Sequence, residues 1–232
     1  MKASIRHFTQ AVLLILPVSL ALAQQPTTQE RVVALKASLA ASQAILQQYE
    51  WVETTVISLK GEEKSRQMNK CYHGADGKVQ KVPLTTPPPE KNQRGLRGKI
   101  VESKKEEMAD YMKEAVGLVK QYVPPQPVLI QKAKDAGKVA VSPLPGQSVR
   151  LTFTDFIKPG DSLALTLDLA SNRPLEAKVS TYLDDSKDQP VTLDVKFSTL
   201  PNINATYALT IALDAQGKKL AVTVENSGYR RQ

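Results

Sequence analysis

The sequence is poor in the residues that carry most enzyme and metal chemistry. Of 232 residues, one is cysteine and two are histidine. Cys71 has no partner within the chain, so no internal disulfide can form and stability has to come from packing. His7 lies in an N-terminal leader, which leaves His73 as the only histidine of a mature protein. One Cys and one His fall short of the ligand set a zinc site takes, and no metal is expected. A Ser-His-Asp triad would depend on His73, and no G-x-S-x-G turn supplies its nucleophile. Cys71 and His73 are two apart, which on a strand sets them on one face and would allow a thiolate pair; the plainer reading is a free thiol and an exposed imidazole beside a turn. Asp184, Asp185 and Asp188 lack the Gly and terminal Glu of a calcium loop and read as a solvated turn. No glycine-rich strand-turn-helix unit cradles a nucleotide phosphate, so no cofactor is expected. Aromatic residues make up 5% of the chain and do not interleave with the basic ones, which argues against nucleic acid as a partner.

What is present begins with an export signal. Lys2 and Arg6 form a basic n-region, Ala11 to Leu22 an apolar stretch, and Ala21-Leu22-Ala23 an A-x-A cleavage site before Gln24. The run is too short to cross about 30 Å of hydrocarbon comfortably and Pro17 interrupts it, so residues 1–23 read as a cleaved leader rather than an anchor. Residues 24–232 contain no second hydrophobic run and have the length of one soluble domain, periplasmic or secreted. Residues 60–105 hold 12 basic and 5 acidic side chains, a net +7, against +6 for residues 24–232 as a whole, so the rest of the chain outside the leader is about neutral.

The C-terminal half alternates apolar and mostly polar residues with a period of two, six times over. Val149, Leu151 and Phe153 are followed by Leu163 to Leu169, then by Leu175, Ala177, Val179 and Leu183, and then by Val191, Leu193, Val195 and Phe197. Tyr207 to Leu213 and Leu220 to Val224 complete the series. This pattern describes strands with one dry and one wet face. Turn residues such as Lys158-Pro159-Gly160-Asp161 and Ser171-Asn172-Arg173-Pro174 link them closely, which predicts an antiparallel meander.

Ahead of the meander, Thr27 and Glu30 make a capping box for a helix running to about Tyr49, with Val32, Leu35, Leu39, Leu46 and Tyr49 near one face. Trp51 to Leu59 reads as a strand, and Lys64 to Tyr72 as a second, polar on both faces and expected exposed or at an edge. Gly74 to Gly77 turns the chain into Lys78 to Leu84. Thr85 to Gly98, with three consecutive prolines, reads as a spacer. A second helix is expected from about Ile100 to Tyr122, a short third from Val128 to Ala136, and a brief strand at Val139 to Val141.

This order of elements, with the turn Asp76-Gly77-Lys78 and the last strand Leu220 to Tyr229, resembles the bacterial envelope superfamily of lipoprotein carriers and lipoprotein-like lipid binders, the LolA-like proteins. The chain departs from the carrier proper in having no Arg-Pro pair ahead of Asp76; Arg66 to Tyr72 stands there instead. It therefore reads as a divergent member that binds another apolar ligand, or none. The resemblance implies an α+β fold in which a strongly curved antiparallel sheet, an unclosed half-barrel, wraps the N-terminal and inserted helices. It also implies a non-enzymatic binder or carrier of a lipid or acyl chain held between sheet and helices. Phe153, Leu165, Leu167, Val195, Phe197 and Tyr207 are the expected cleft lining. The alternative is an envelope scaffold with a fully packed core and a basic hairpin that meets a partner. Lys64, Arg66 and Lys70 are the expected contacts to an anionic envelope surface.

Overall fold

The computed structural model describes residues 26–85, 96–183 and 189–232. The leader, much of the proline-rich spacer and Asp184, Asp185 and Asp188 lie outside the described residues.

The capping box forms as read: the Glu30 backbone N–H donates to Thr27 Oγ1 at 3.2 Å, and the Thr27 N–H donates to the Glu30 carboxylate at 2.6 Å. It starts α1 (Thr28–Leu46). Tyr49 does not extend that helix. It opens β1 (Tyr49–Leu59) opposite Arg231, because the last strand of the chain offers its backbone a ladder there. Then follow β2 (Glu62–His73), β3 (Val79–Pro83), α2 (Leu96–Val119) and α3 (Pro127–Asp135). The remaining strands are β4 (Val139–Leu144), β5 (Ser148–Thr154), β6 (Ser162–Asp168), β7 (Pro174–Tyr182), β8 (Pro190–Thr199), β9 (Thr206–Ala215) and β10 (Leu220–Arg231).

All ten strands form one antiparallel sheet in the order β3-β2-β1-β10-β9-β8-β7-β6-β5-β4. The sheet is curved and open, with β3 and β4 as its two edges, and the helices supply its cover. Pairing of β1 with β10 fuses the N-terminal hairpin to the meander. Polar β2 is mostly exposed along its first half, as its composition suggested, without being an edge strand; the Gly74 to Gly77 turn folds β3 outside it.

Cross-strand partners share a face, so a row of partners can be followed across the sheet. One runs Val141, Leu151, Leu165, Ala177, Val195, Ile211, Val224, Thr55, Gln67, from β4 to β2. Its neighbour runs Val139, Phe153, Leu163, Val179, Leu193, Leu213, Val222, Ile57, Ser65. Both rows are apolar through the meander; the first turns polar at Thr55 of β1, and the second stays apolar at Ile57 of β1 and turns polar at Ser65 of β2. The apolar part is the core, closed by Val32 and Leu35 of α1, Tyr111 and Ala115 of α2, Ile130 and Ala133 of α3, and by Tyr122.

Two bulges take leucines off the dry face. The β6–β7 register slips so that Leu167 faces Pro174, leaving Leu175 unpaired and 44% exposed. A slip between Lys196 and Phe197 leaves Leu209 unpaired in the same way.

One polar device fastens the cover. Asp161, buried in the loop between β5 and β6, accepts from the backbone N–H groups of Phe156, Ile157 and Lys158 at 2.5, 3.0 and 2.9 Å. The Tyr122 hydroxyl, just past α2, donates to the same carboxylate at 2.5 Å and lies 2.9 Å from Thr181 Oγ1. A carboxylate this well supplied with donors can be buried at modest cost, and with Thr181 it ties the end of the α2 segment to the β5–β6 loop and to β7.

Candidate functional site

The structure brings four of the six expected cleft residues together. Phe153, Leu165, Leu167 and Val195 share the core and are 0–1% exposed. Phe197 is half-buried at the margin of this core. Tyr207 is not part of it. The bulge beside Phe197 puts Tyr207 opposite Ser198, out of phase with Ile211 and Leu213, and its ring packs against Tyr229 at 4.4 Å. A period-two count along the sequence carries no sign of an extra residue in a ladder, so Tyr207 could not be distinguished from its neighbours.

Three cavities among the described residues lie elsewhere. One of about 310 Å³ is lined by Ser65, Arg66, Gln67, Asn69, Pro83 and Thr85 on the hairpin. A groove of about 820 Å³ runs over the solvent face of β8 to β10 between Asp194, Asp214, Lys60 and Lys219. A third, of about 250 Å³, sits between α3 and the loop after β5. None of these three is lined by Phe153, Leu165, Leu167 or Val195.

The three expected anionic-surface contacts are each engaged with a carboxylate of the same hairpin. Lys64 pairs with Glu62. Arg66 grips Glu63 through two nitrogens at 3.0 and 2.8 Å. Lys70 meets Glu50 at 2.6 Å, and Arg230 reaches the same carboxylate. Hydrogen bonds from Lys70 and then Arg230 hold the Glu50 carboxyl below its ordinary range. Pairs this exposed contribute little to stability, but they reduce the charge free to meet an anion.

The hairpin's helix-facing side carries the chain's scarce reactive residues. Trp51 lies opposite Cys71, which lies opposite Lys81; Glu53 lies opposite Asn69, and His73 opposite Val79. Lys81 Nζ meets the Glu53 carboxylate at 2.5 Å. Trp51 stacks on Tyr229 with ring centroids 5.6 Å apart and touches His73 at 5.5 Å. Gly228, at φ +63, gives β10 the extra residue that turns Tyr229 to this face. Burial pushes the Cys71 thiol up to about 11, and the Glu53 carboxylate adds to the effect. At neutral pH the sulfur is a protonated thiol, not a nucleophile. Among the described residues no cluster of three His, Cys, Asp or Glu side chains could hold a metal ion.

The sequence matches no family model. No curated protein matches it either. Among solved structures it is similar to a LolA superfamily protein from Nitrosomonas europaea, with 8% identity over 85% of this chain and 93% of that one and a TM-score of 0.39. A DUF1329 family protein from Desulfovibrio piger is similar at 10% identity over 86% and 92% of the two chains, TM-score 0.39. An outer membrane lipoprotein-sorting protein domain from Vibrio parahaemolyticus follows at 12% identity over 85% and 93%, TM-score 0.37. The superfamily named first is the one the element order resembles. Likenesses this loose transfer neither a ligand nor a role.

Proposed function

We propose that this is an exported, non-enzymatic envelope protein that acts by surface interactions, its apolar face serving its own core. The observation that carries this reading is the closure of the expected cleft. Phe153, Leu165, Leu167 and Val195 have essentially no accessible surface, whereas an acyl-chain site of the size usual for such ligands needs an apolar cavity of several hundred Å³. Its leader would be removed after Ala23, leaving Gln24 as the first residue; terminal sequencing of exported protein that found Met1 would count against export by this route.

A carrier reading keeps one specific support. The cover over the apolar face uses Ala115 and Ala133 with Met108 and Met112, small or adaptable side chains that an incoming chain could displace at limited cost. The deciding experiment titrates an environment-sensitive fatty-acid probe into delipidated protein and into Leu167→Trp. No saturable binding is expected. Saturable binding by the parent that Leu167→Trp abolishes would replace the interaction reading with the carrier.

A further inference from the structure

We propose that Asp76-Gly77, in the turn between β2 and β3, is a site of spontaneous backbone isomerisation to isoaspartate, held back by the closed turn and released when β3 opens. The inference goes beyond the interaction reading above and does not depend on it.

The chemistry needs an aspartate followed by a residue that leaves its amide nitrogen open to approach. Asp76 is the only aspartate of the chain followed by glycine, and no asparagine is followed by glycine. Gly77 has φ +73, where a side chain would be strained, and apart from its chain neighbours no atom lies within 4 Å of the place a Cβ would take. In the first step the Gly77 nitrogen attacks Asp76 Cγ, forming a C–N bond and a five-membered succinimide. The hydroxyl of the protonated carboxyl leaves with the nitrogen's proton as water. Water then adds to one of the two ring carbonyls. Cleavage of the new bond restores aspartate; cleavage of the original peptide bond leaves Gly77 joined to the chain through Cγ. Water is lost and regained, so the isomer has the mass of the starting chain.

In the folded hairpin both reacting groups are engaged elsewhere. The Gly77 N–H donates to the Gly74 carbonyl at 2.9 Å, and Asp76 Oδ1 accepts from the Lys78 N–H at 3.0 Å. The Gly74 N–H closes the turn on the Lys78 carbonyl at 2.9 Å. Attack on Cγ requires the first two of these bonds to break.

Little holds the turn shut. β3 has five residues, all exposed, and among the described residues it pairs with β2 alone. The bond at Gly74 and the bond from the Leu84 N–H to the Met68 carbonyl, 2.8 Å, set the phase of the ladder, in which Val82 donates to Lys70. A short edge strand of this kind opens at the low end of a protein's local stabilities, far below global unfolding. The product cannot remake the turn, because its main chain is longer by one atom and Oδ1 no longer stands where Lys78 donates. β3 then loses its register with β2. Cys71, fully buried, lies opposite Lys81 of β3, so release of β3 uncovers the thiol.

The test incubates the folded protein and a synthetic peptide of residues 72–82 side by side in mildly acidic buffer. Both are then mapped with a protease that cleaves before aspartate but not before isoaspartate. Isoaspartate at residue 76 is expected in both, forming in the protein about tenfold or more slowly than in the peptide. Val82→Pro, which removes a ladder donor and is checked for an unchanged melting curve, is expected to raise the protein's rate toward that of the peptide. Protein enriched in the isomer is expected to react faster with a thiol reagent. No isoaspartate in the protein once the peptide has converted fully would overturn the proposal, as would a rate equal to the peptide's. Unchanged thiol reactivity in the isomer would overturn the release of β3.

Discussion

The meander and the N-terminal hairpin are parts of one continuous sheet, yet the same row of the same face has opposite character in each. From Leu151 to Val224 the row is aliphatic and covered by helices; at Thr55 and Gln67 it is polar. The backbone ladder is indifferent to this change, because strand pairing uses main-chain groups only. Side chains decide which part of a sheet becomes a core and which stays available to other molecules. In this row the transition falls at the β10–β1 junction, where the last strand pairs with the first.

The comparison can be broken most severely at the Asp161 anchor. Asp161→Ala would take the carboxylate from the buried Phe156 N–H, from the half-buried Ile157 and Lys158 N–H groups and from the Tyr122 hydroxyl, which keeps Thr181 alone, and is expected to cost about 4 kcal/mol in urea unfolding. A loss under about 1 kcal/mol would mean that the anchor is not a structural requirement. Next comes a contrast within one row. Leu165→Ala should cost about 3 kcal/mol, whereas Gln67→Ala should stay within about 0.5 kcal/mol, since the first leaves a cavity and the second alters a solvated side chain. Equal losses would erase the distinction between the two regions.

The hairpin's own buried residue offers a smaller, pH-dependent effect. Folding raises the Cys71 pKa, so the folded state favours the protonated thiol. That contribution to stability is complete below the ordinary value of 9.0 and is lost as pH climbs through about 11. Parent protein should therefore lose more stability than Cys71→Ala between about pH 8 and about pH 11. Identical pH slopes would show the thiol to be exposed. A thiol reagent should also react slowly with folded protein and fully after unfolding. Smallest is Lys70→Ala, expected to change stability by less than about 1 kcal/mol because the Lys70 side chain is exposed and Arg230 remains on the Glu50 carboxylate.

Much of this architecture is legible in the residues alone. Alternation marks the six meander strands, turn residues mark their joints, and Thr27 with Glu30 marks the start of α1, because each depends on contacts among near neighbours in the chain. The α+β class and the open, curved antiparallel sheet follow from the same local signals and from the order of elements. The placement of β2 away from the edge, the fusion of β1 to β10, and the phase changes at Leu175, Tyr207 and Leu209 are decided by pairings between distant segments. A bulge adds one residue to one strand without altering the composition on either side, so nothing local announces it. Burial of four of the expected lining residues is of the same kind. Phe153, Leu165, Leu167 and Val195 alternate identically whether a ligand or a helix covers them, and their burial comes from the packing of α1, α2 and α3 against the sheet.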